Sequence, residues 1–200
     1  LTRLYERRPQ NEEVADALSR LRLDQARRLM DDGAYADALS MLKFVTEHAS
    51  DRETRESAYS RIYTCNIGLR RYDAAEEALV AMHEQFPSRS DYVDKRADLL
   101  VHRGRIAQAL NFLKEEAGKA DDEFLRYQYI SNYEDIATPY IKDLMANGAT
   151  KKAYEASMEL LSLYPASERG LQYAINTSAQ LGYWRDFDRL VLQGRNNYPD

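Results

Sequence analysis

Cysteine, tryptophan, proline and glycine are all scarce in these 200 residues: one Cys, one Trp, five Pro and eight Gly. The lone Cys65 cannot close an internal disulfide, and no second thiol stands at a metal-ligand spacing from it. It falls inside a helical stretch, Tyr59 to Leu69, with no His or Lys beside it to lower its pKa, and so reads as a small buried hydrophobe. With few prolines and glycines the turns must be few and the ordered elements long, which favours helices over a sandwich of many short strands. No apolar run approaches about 20 residues, so nothing in the sequence reads as membrane-spanning. A basic tract is missing too. The net charge is -5, with 16 Lys/Arg against 19 Asp/Glu in residues 1–100 and 12 against 14 in residues 101–200. That even spread excludes nucleic acid as the main ligand.

Catalytic signatures are absent as well. The three histidines, His48, His83 and His102, lie too far apart in sequence for helical neighbours, and no His-Glu-x-x-His or Cys-x-x-Cys spacing occurs. There is no glycine-rich phosphate loop and no Gly-x-Ser-x-Gly elbow. The expectation is therefore a non-catalytic protein without cofactor or metal. His102, two residues before Gly104, reads as a helix-end residue whose partial positive charge suits the helix dipole.

What the sequence does contain is a repeat. A small-residue turn is followed by an anchor residue and then, three places on, by Ala: Gly33-Ala-Tyr35 to Ala38, Arg70-Arg-Tyr72 to Ala75, Gly104-Arg-Ile106 to Ala109 and Gly148-Ala-Thr150 to Ala153. The last copy, Gly182-Tyr-Trp184, has Phe187 in the Ala place. The anchors Tyr35, Tyr72, Ile106, Thr150 and Trp184 are separated by 37, 34, 44 and 34 residues. After the anchor come apolar residues at offsets of three, seven and ten, as in Ala38, Leu42 and Val45 or Ala75, Leu79 and Met82, which is one stripe of a helix. A stop follows fifteen places past each anchor, at Ser50, Pro87, Asp121, Pro165 and Pro199.

Gly-x-Tyr, Ala three on and Pro fifteen on, at a 34-residue spacing, resembles the tetratricopeptide repeat, in a divergent array of bacterial type. The resemblance runs from about Asn11 to Pro199 and implies an all-α, right-handed solenoid of antiparallel helical hairpins, about five in one segment. The family's small residue at the eighth place of each repeat is matched by Ala26 and Ala97 but by Tyr63, Ile141 and Ile175 elsewhere. The fourth repeat is ten residues too long. Its Pro139 must kink a helix or begin a new one capped by Thr138, and the break is the expectation. A change of direction in the superhelix is expected there. Residues 1–9 read as the tail of a preceding repeat, so the segment is expected to be a fragment of a longer array.

The family lines its concave groove with the first helix of each hairpin. Its groove positions, carried onto this sequence, select Arg20, Arg27 and Asp31, then Ser57, Ser60 and Thr64, then Asp91, Asp94, Asp98 and His102. The fourth and fifth repeats add Asp135 and Lys142, then Arg169, Gln172, Asn176 and Gln180. Asp94 and Asp98 stand at i and i+4, as a site for a cation or basic peptide or as an ordinary solvated face. Two aspartates where the family's co-chaperones carry basic residues exclude a clamp for a C-terminal carboxylate. Tyr129, Tyr133 and Tyr140 share a helical face, either as an aromatic ligand patch or as inter-repeat core.

The expected function is a scaffold that holds a peptide or helix of a partner protein in the groove. The alternative is a periplasmic solenoid of a bacterial exopolysaccharide export system that contacts glycan or a glycan-modifying enzyme. A soluble segment is expected, with bacterial cytoplasm or periplasm left open.

Overall fold

Four of the helices open on the same chemistry. Asn11, Asp51, Asp122 and Ser167 each accept a hydrogen bond on the side chain from the backbone N–H three residues on, at 3.0, 2.8, 2.8 and 2.9 Å. Each satisfies one of the donors that a helix start leaves without a partner. The helices they open are α2 (Glu12–Asp31), α4 (Arg52–Gly68), α8 (Glu123–Ala146) and α10 (Glu168–Leu181). A second set has no side-chain cap: α3 (Tyr35–His48), α5 (Tyr72–Gln85), α7 (Ile106–Lys119), α9 (Thr150–Leu163) and α11 (Trp184–Asn197). Each of these is 14 residues long and begins at one of the five anchors. Completing the chain are α1 (Thr2–Arg7) and α6 (Asp91–His102).

Two residues before each anchor the backbone is left-handed. Gly33, Gly104, Gly148 and Gly182 have φ of 71–76°, and Arg70 has φ 56°. In the first turn the Gly33 N–H donates to the Met30 carbonyl at 3.0 Å and the Ala34 N–H to the Leu29 carbonyl at 2.7 Å. These bonds close the end of α2 and reverse the chain into α3, and the turns before α5, α9 and α11 repeat them.

A computed structural model describes residues 1–86 and 91–198. Every regular element among them is an α-helix. Pro87 and Pro199, two of the expected stops, lie outside the described residues. The chain divides into two compact units, Leu1–Arg103 and Gly104–Asp200. In the first, α2 pairs with α3 and α4 with α5; α4 also packs on α3, and α6 on α5. In the second, α8 packs on α7 and α9, and α10 on α9 and α11.

The small residues expected at offset three are in place. Ala38, Ala75, Ala109 and Ala153 have no exposed surface, which lets paired helices approach closely. Leu42, Val45, Leu79, Met82, Leu113 and Leu160 complete the stripes and are buried. Phe187, which replaces Ala in the last copy, is only half-buried, and Leu190 is the one buried residue of α11. Cys65 is buried in the core between α3 and α4, and burial pushes its thiol up to about 11, so it is a packed, unreactive side chain.

The break expected at Pro139 is not there. Helix α8 runs through it without interruption, and its 24 residues against the 14 of α10 absorb the ten extra residues of the fourth repeat. Tyr129, Tyr133 and Ala137 are buried before the proline and Ile141 after it, so packing on both sides holds the helix together across the missing N–H. Pro139 itself faces solvent. Thr138, expected as a cap, lies mid-helix with its Oγ1 buried and unpartnered.

Candidate functional site

Side-chain direction follows from the core stripe. Ala26, Ala58 and Ala97 are turned inward, and their neighbours Arg27, Ser57 and Asp98, one place and about 100° away, are carried round toward the outer face. In the first unit that face holds Arg20 and Arg27 (exposed), Ser57 and Ser60 (half-buried) and Thr64 (exposed). It continues on α6 with Asp91 and Asp94, both half-buried, and with Asp98 and His102, which are exposed. The Tyr63 hydroxyl donates to the Lys95 carbonyl at 2.8 Å and ties α4 to α6.

A hollow of about 460 Å³ opens on this face, lined by Met30, Glu53, Glu56, Ser57, Ser60, Arg61 and Thr64. It brings together three expected residues, Ser57, Ser60 and Thr64, with Glu53, Glu56 and Arg61, which the family's groove positions do not include. The signal that would have found them is helical spacing alone, because 53, 56, 57, 60, 61 and 64 are linked by steps of three and four along one face.

Carboxylates dominate the α4–α6 part of the face. Glu53, Glu56, Asp91, Asp94 and Asp98 stand against Arg61 and Lys95, and Lys95 is paired with Asp91 at 3.7 Å. Partial burial pushes the Asp98 carboxyl above the ordinary carboxylate range, although His102 and Lys95 pull the other way. His102 stacks on Tyr72, ring centres 6.3 Å apart, so the helix-end residue also packs against α5.

In the second unit Lys142 on α8 and Arg169, Gln172, Asn176 and Gln180 on α10 are all exposed. Arg169 faces Asp135 of α8 at 3.9 Å, and Gln180 accepts a hydrogen bond from the Thr150 hydroxyl at 3.5 Å. This face is neutral to basic, unlike that of the first unit.

Of the two readings of the α8 tyrosines, their burial fits the inter-repeat core. Tyr129 and Tyr133 are 5% and 2% exposed and belong to the core around α8, and Tyr140 is half-buried. Burial raises the Tyr133 phenol, with the Glu159 charge adding to it. The rings of α8 that do face solvent are Phe124 and Tyr127, on its N-terminal turns. Among the described residues no group of His, Cys, Asp and Glu is placed to hold a metal, and no described helix is long and apolar enough to cross a membrane.

No protein-family model and no curated protein matches the chain. Solved structures do. MamA AMB-1 is 13% identical, with 90% of this chain and 92% of that chain covered and a TM-score of 0.50. MamA 41-end from Desulfovibrio magneticus RS-1 is 15% identical, with 90% and 97% covered and a TM-score of 0.49. YrrB, a TPR protein with an unusual peptide-binding site, is 13% identical, with 100% and 92% covered and a TM-score of 0.48. At such identities the likeness is one of fold. Capped first helices, left-handed turns and Ala-lined second helices make that fold a divergent tetratricopeptide-like array of helical hairpins.

Proposed function

We propose that this chain is a non-catalytic interaction module that takes an extended segment or helix of a partner protein on its first-helix faces. We further propose that the α4–α6 part of the first unit selects a segment bearing lysine or arginine. The observation that carries the reading is the hollow of about 460 Å³ on α2 and α4, whose wall includes Ser57, Ser60 and Thr64 with Glu53 and Glu56 against Arg61. Hydroxyls and carboxylates spaced along two helices can accept hydrogen bonds from a cationic chain, and their charge favours encounter with one.

Asp98 makes the reading testable. Its folded-state pKa is raised, so the folded chain holds that proton more tightly than the unfolded chain does. The cost of the charge is absent below the unfolded pKa and present in full above the folded one. Asp98→Asn should therefore stabilise the free protein at neutral pH, with the difference vanishing as pH falls below the ordinary Asp range. The same variant, combined with Asp94→Asn, should bind a labelled Lys-Ala alternating peptide less tightly in fluorescence anisotropy. The unaltered protein should bind that peptide, lose it as salt rises, and ignore a Glu-Ala peptide. Equal binding of both peptides, or no loss in the double variant, would falsify the cationic selection.

A further inference from the structure

Helical spacing decides which charged residues of α4 can pair with one another. Arg55 has Asp51 one turn before it. Arg61 has no such neighbour, because the residues three and four places away on either side are Ser57, Ala58, Thr64 and Cys65. Glu53 and Glu56 lie eight and five residues before it, about 12 and about 7.5 Å along the axis, and Glu56 is also turned well round the helix. Arg61 accordingly forms no ion pair or hydrogen bond with a described residue, and its Nε is buried without an acceptor.

That guanidinium belongs to the wall of the hollow of about 460 Å³ on α2 and α4, together with Ser57, Ser60 and Met30. A buried N–H with no acceptor in place of water is unfavourable, and it is rare enough in folded chains to call for an explanation. The hollow supplies one, since it admits a group brought from outside. A guanidinium is satisfied by acceptors alone, and a carboxylate matches its planar fork with two parallel N–H···O bonds. The hydroxyls of Ser57 and Ser60 add donors of the same sense.

We infer that Arg61 anchors a carboxylate in this hollow, the side chain of an Asp or Glu in the partner segment. The inference rests on the reading that the first-helix faces take a segment of a partner protein, and it sharpens the chemistry of that segment. One acidic residue stands between basic ones. Glu53 and Glu56 receive the flanking Lys or Arg, and the same two carboxylates repel a run of acids.

Three labelled peptides of one length, amidated at the C-terminus so that the only carboxylate is a side chain, test it by fluorescence anisotropy. One alternates Lys and Ala; the other two replace its central Ala by Glu or by Gln. The Glu form should bind the unaltered chain roughly tenfold more tightly than the Gln form. General attraction of a cationic peptide to an acidic face gives the opposite order, because the Glu form carries one positive charge fewer in net. Arg61→Gln should abolish the preference by weakening the Glu form, with an unchanged circular dichroism spectrum. Binding of the plain Lys-Ala peptide should hold or tighten in that variant, as a positive charge leaves the wall. The peptide pair tests the unaltered chain, so the result does not depend on how the variant folds. Equal binding of the Glu and Gln forms, or a preference that survives Arg61→Gln, overturns this inference and leaves the cationic selection standing. Failure of all three peptides to bind overturns both.

Discussion

Arg70 and Gly68 sit two residues apart at the end of α4 and place opposite demands on the chain. Arg70 is the one non-glycine residue described with a left-handed backbone, in a place that glycine fills in the other four turns. For an L-residue that conformation costs about 1–2 kcal/mol, while the extra freedom of glycine in the unfolded chain gives back roughly 0.4–1 kcal/mol. Arg70→Gly should therefore stabilise the protein by about 1 kcal/mol, a rise of about 2–4 °C in Tm for a chain of this size. Gly68→Ala should act the other way. Its Cβ would meet the Tyr35 ring at 2.6 Å, and that ring is pinned against the core of α3 and α4. Overpacking of this kind costs about 1–3 kcal/mol, more than the roughly 1 kcal/mol of helix propensity that alanine gains over glycine. Thermal melts of the two variants should move in opposite directions.

Among the elements, α8 departs most from its neighbours. Its interior proline removes one backbone bond and crowds the carbonyl of Asp135, yet the helix is continuous because buried residues on both sides are held by α7, α9 and α10. Pro139 is exposed and makes no core contact that alanine would lose. Pro139→Ala should stabilise the protein by about 1–3 kcal/mol, read from the urea midpoint at unchanged slope. No gain would mean that the backbone has already adapted to the ring.

Helix starts were legible in the sequence because two local signals coincide at each second helix, a left-handed turn residue and an anchor two places on. The continuity of α8 was not, because Thr-Pro reads the same at the first turn of a new helix as inside an old one that packing holds. The same limit applies to the candidate site. The exposure of Arg169, Gln172, Asn176 and Gln180 follows from helical spacing once the core stripe is known. The fate of Tyr129 and Tyr133 does not, since a tyrosine suits both a wet surface and a core edge. Likewise the hollow needs Glu53, Glu56 and Arg61, which lie among Ser57, Ser60 and Thr64 on α4 but at places that no family position marks.

On the scale of the whole molecule, stability is distributed along the chain. Each unit buries its own stripe of Ala and Leu, and within a unit each helix packs mainly on its neighbours in sequence. In such a stack the free energy is close to a sum of hairpin and nearest-neighbour terms. Leu160 tests this. It is fully buried in α9, and its Cδ2 stands 3.0 Å from where a Cβ on Gly170 of α10 would lie. Leu160→Ala should cost about 2–5 kcal/mol in the hairpins it joins. Native-state hydrogen exchange should then show amides of α9 and α10 losing protection by a large factor, with those of α3 and α5 close to their original values. A uniform loss across all these helices would mean that the chain opens as one cooperative body, and nearest-neighbour packing would then be the wrong account of what holds it together.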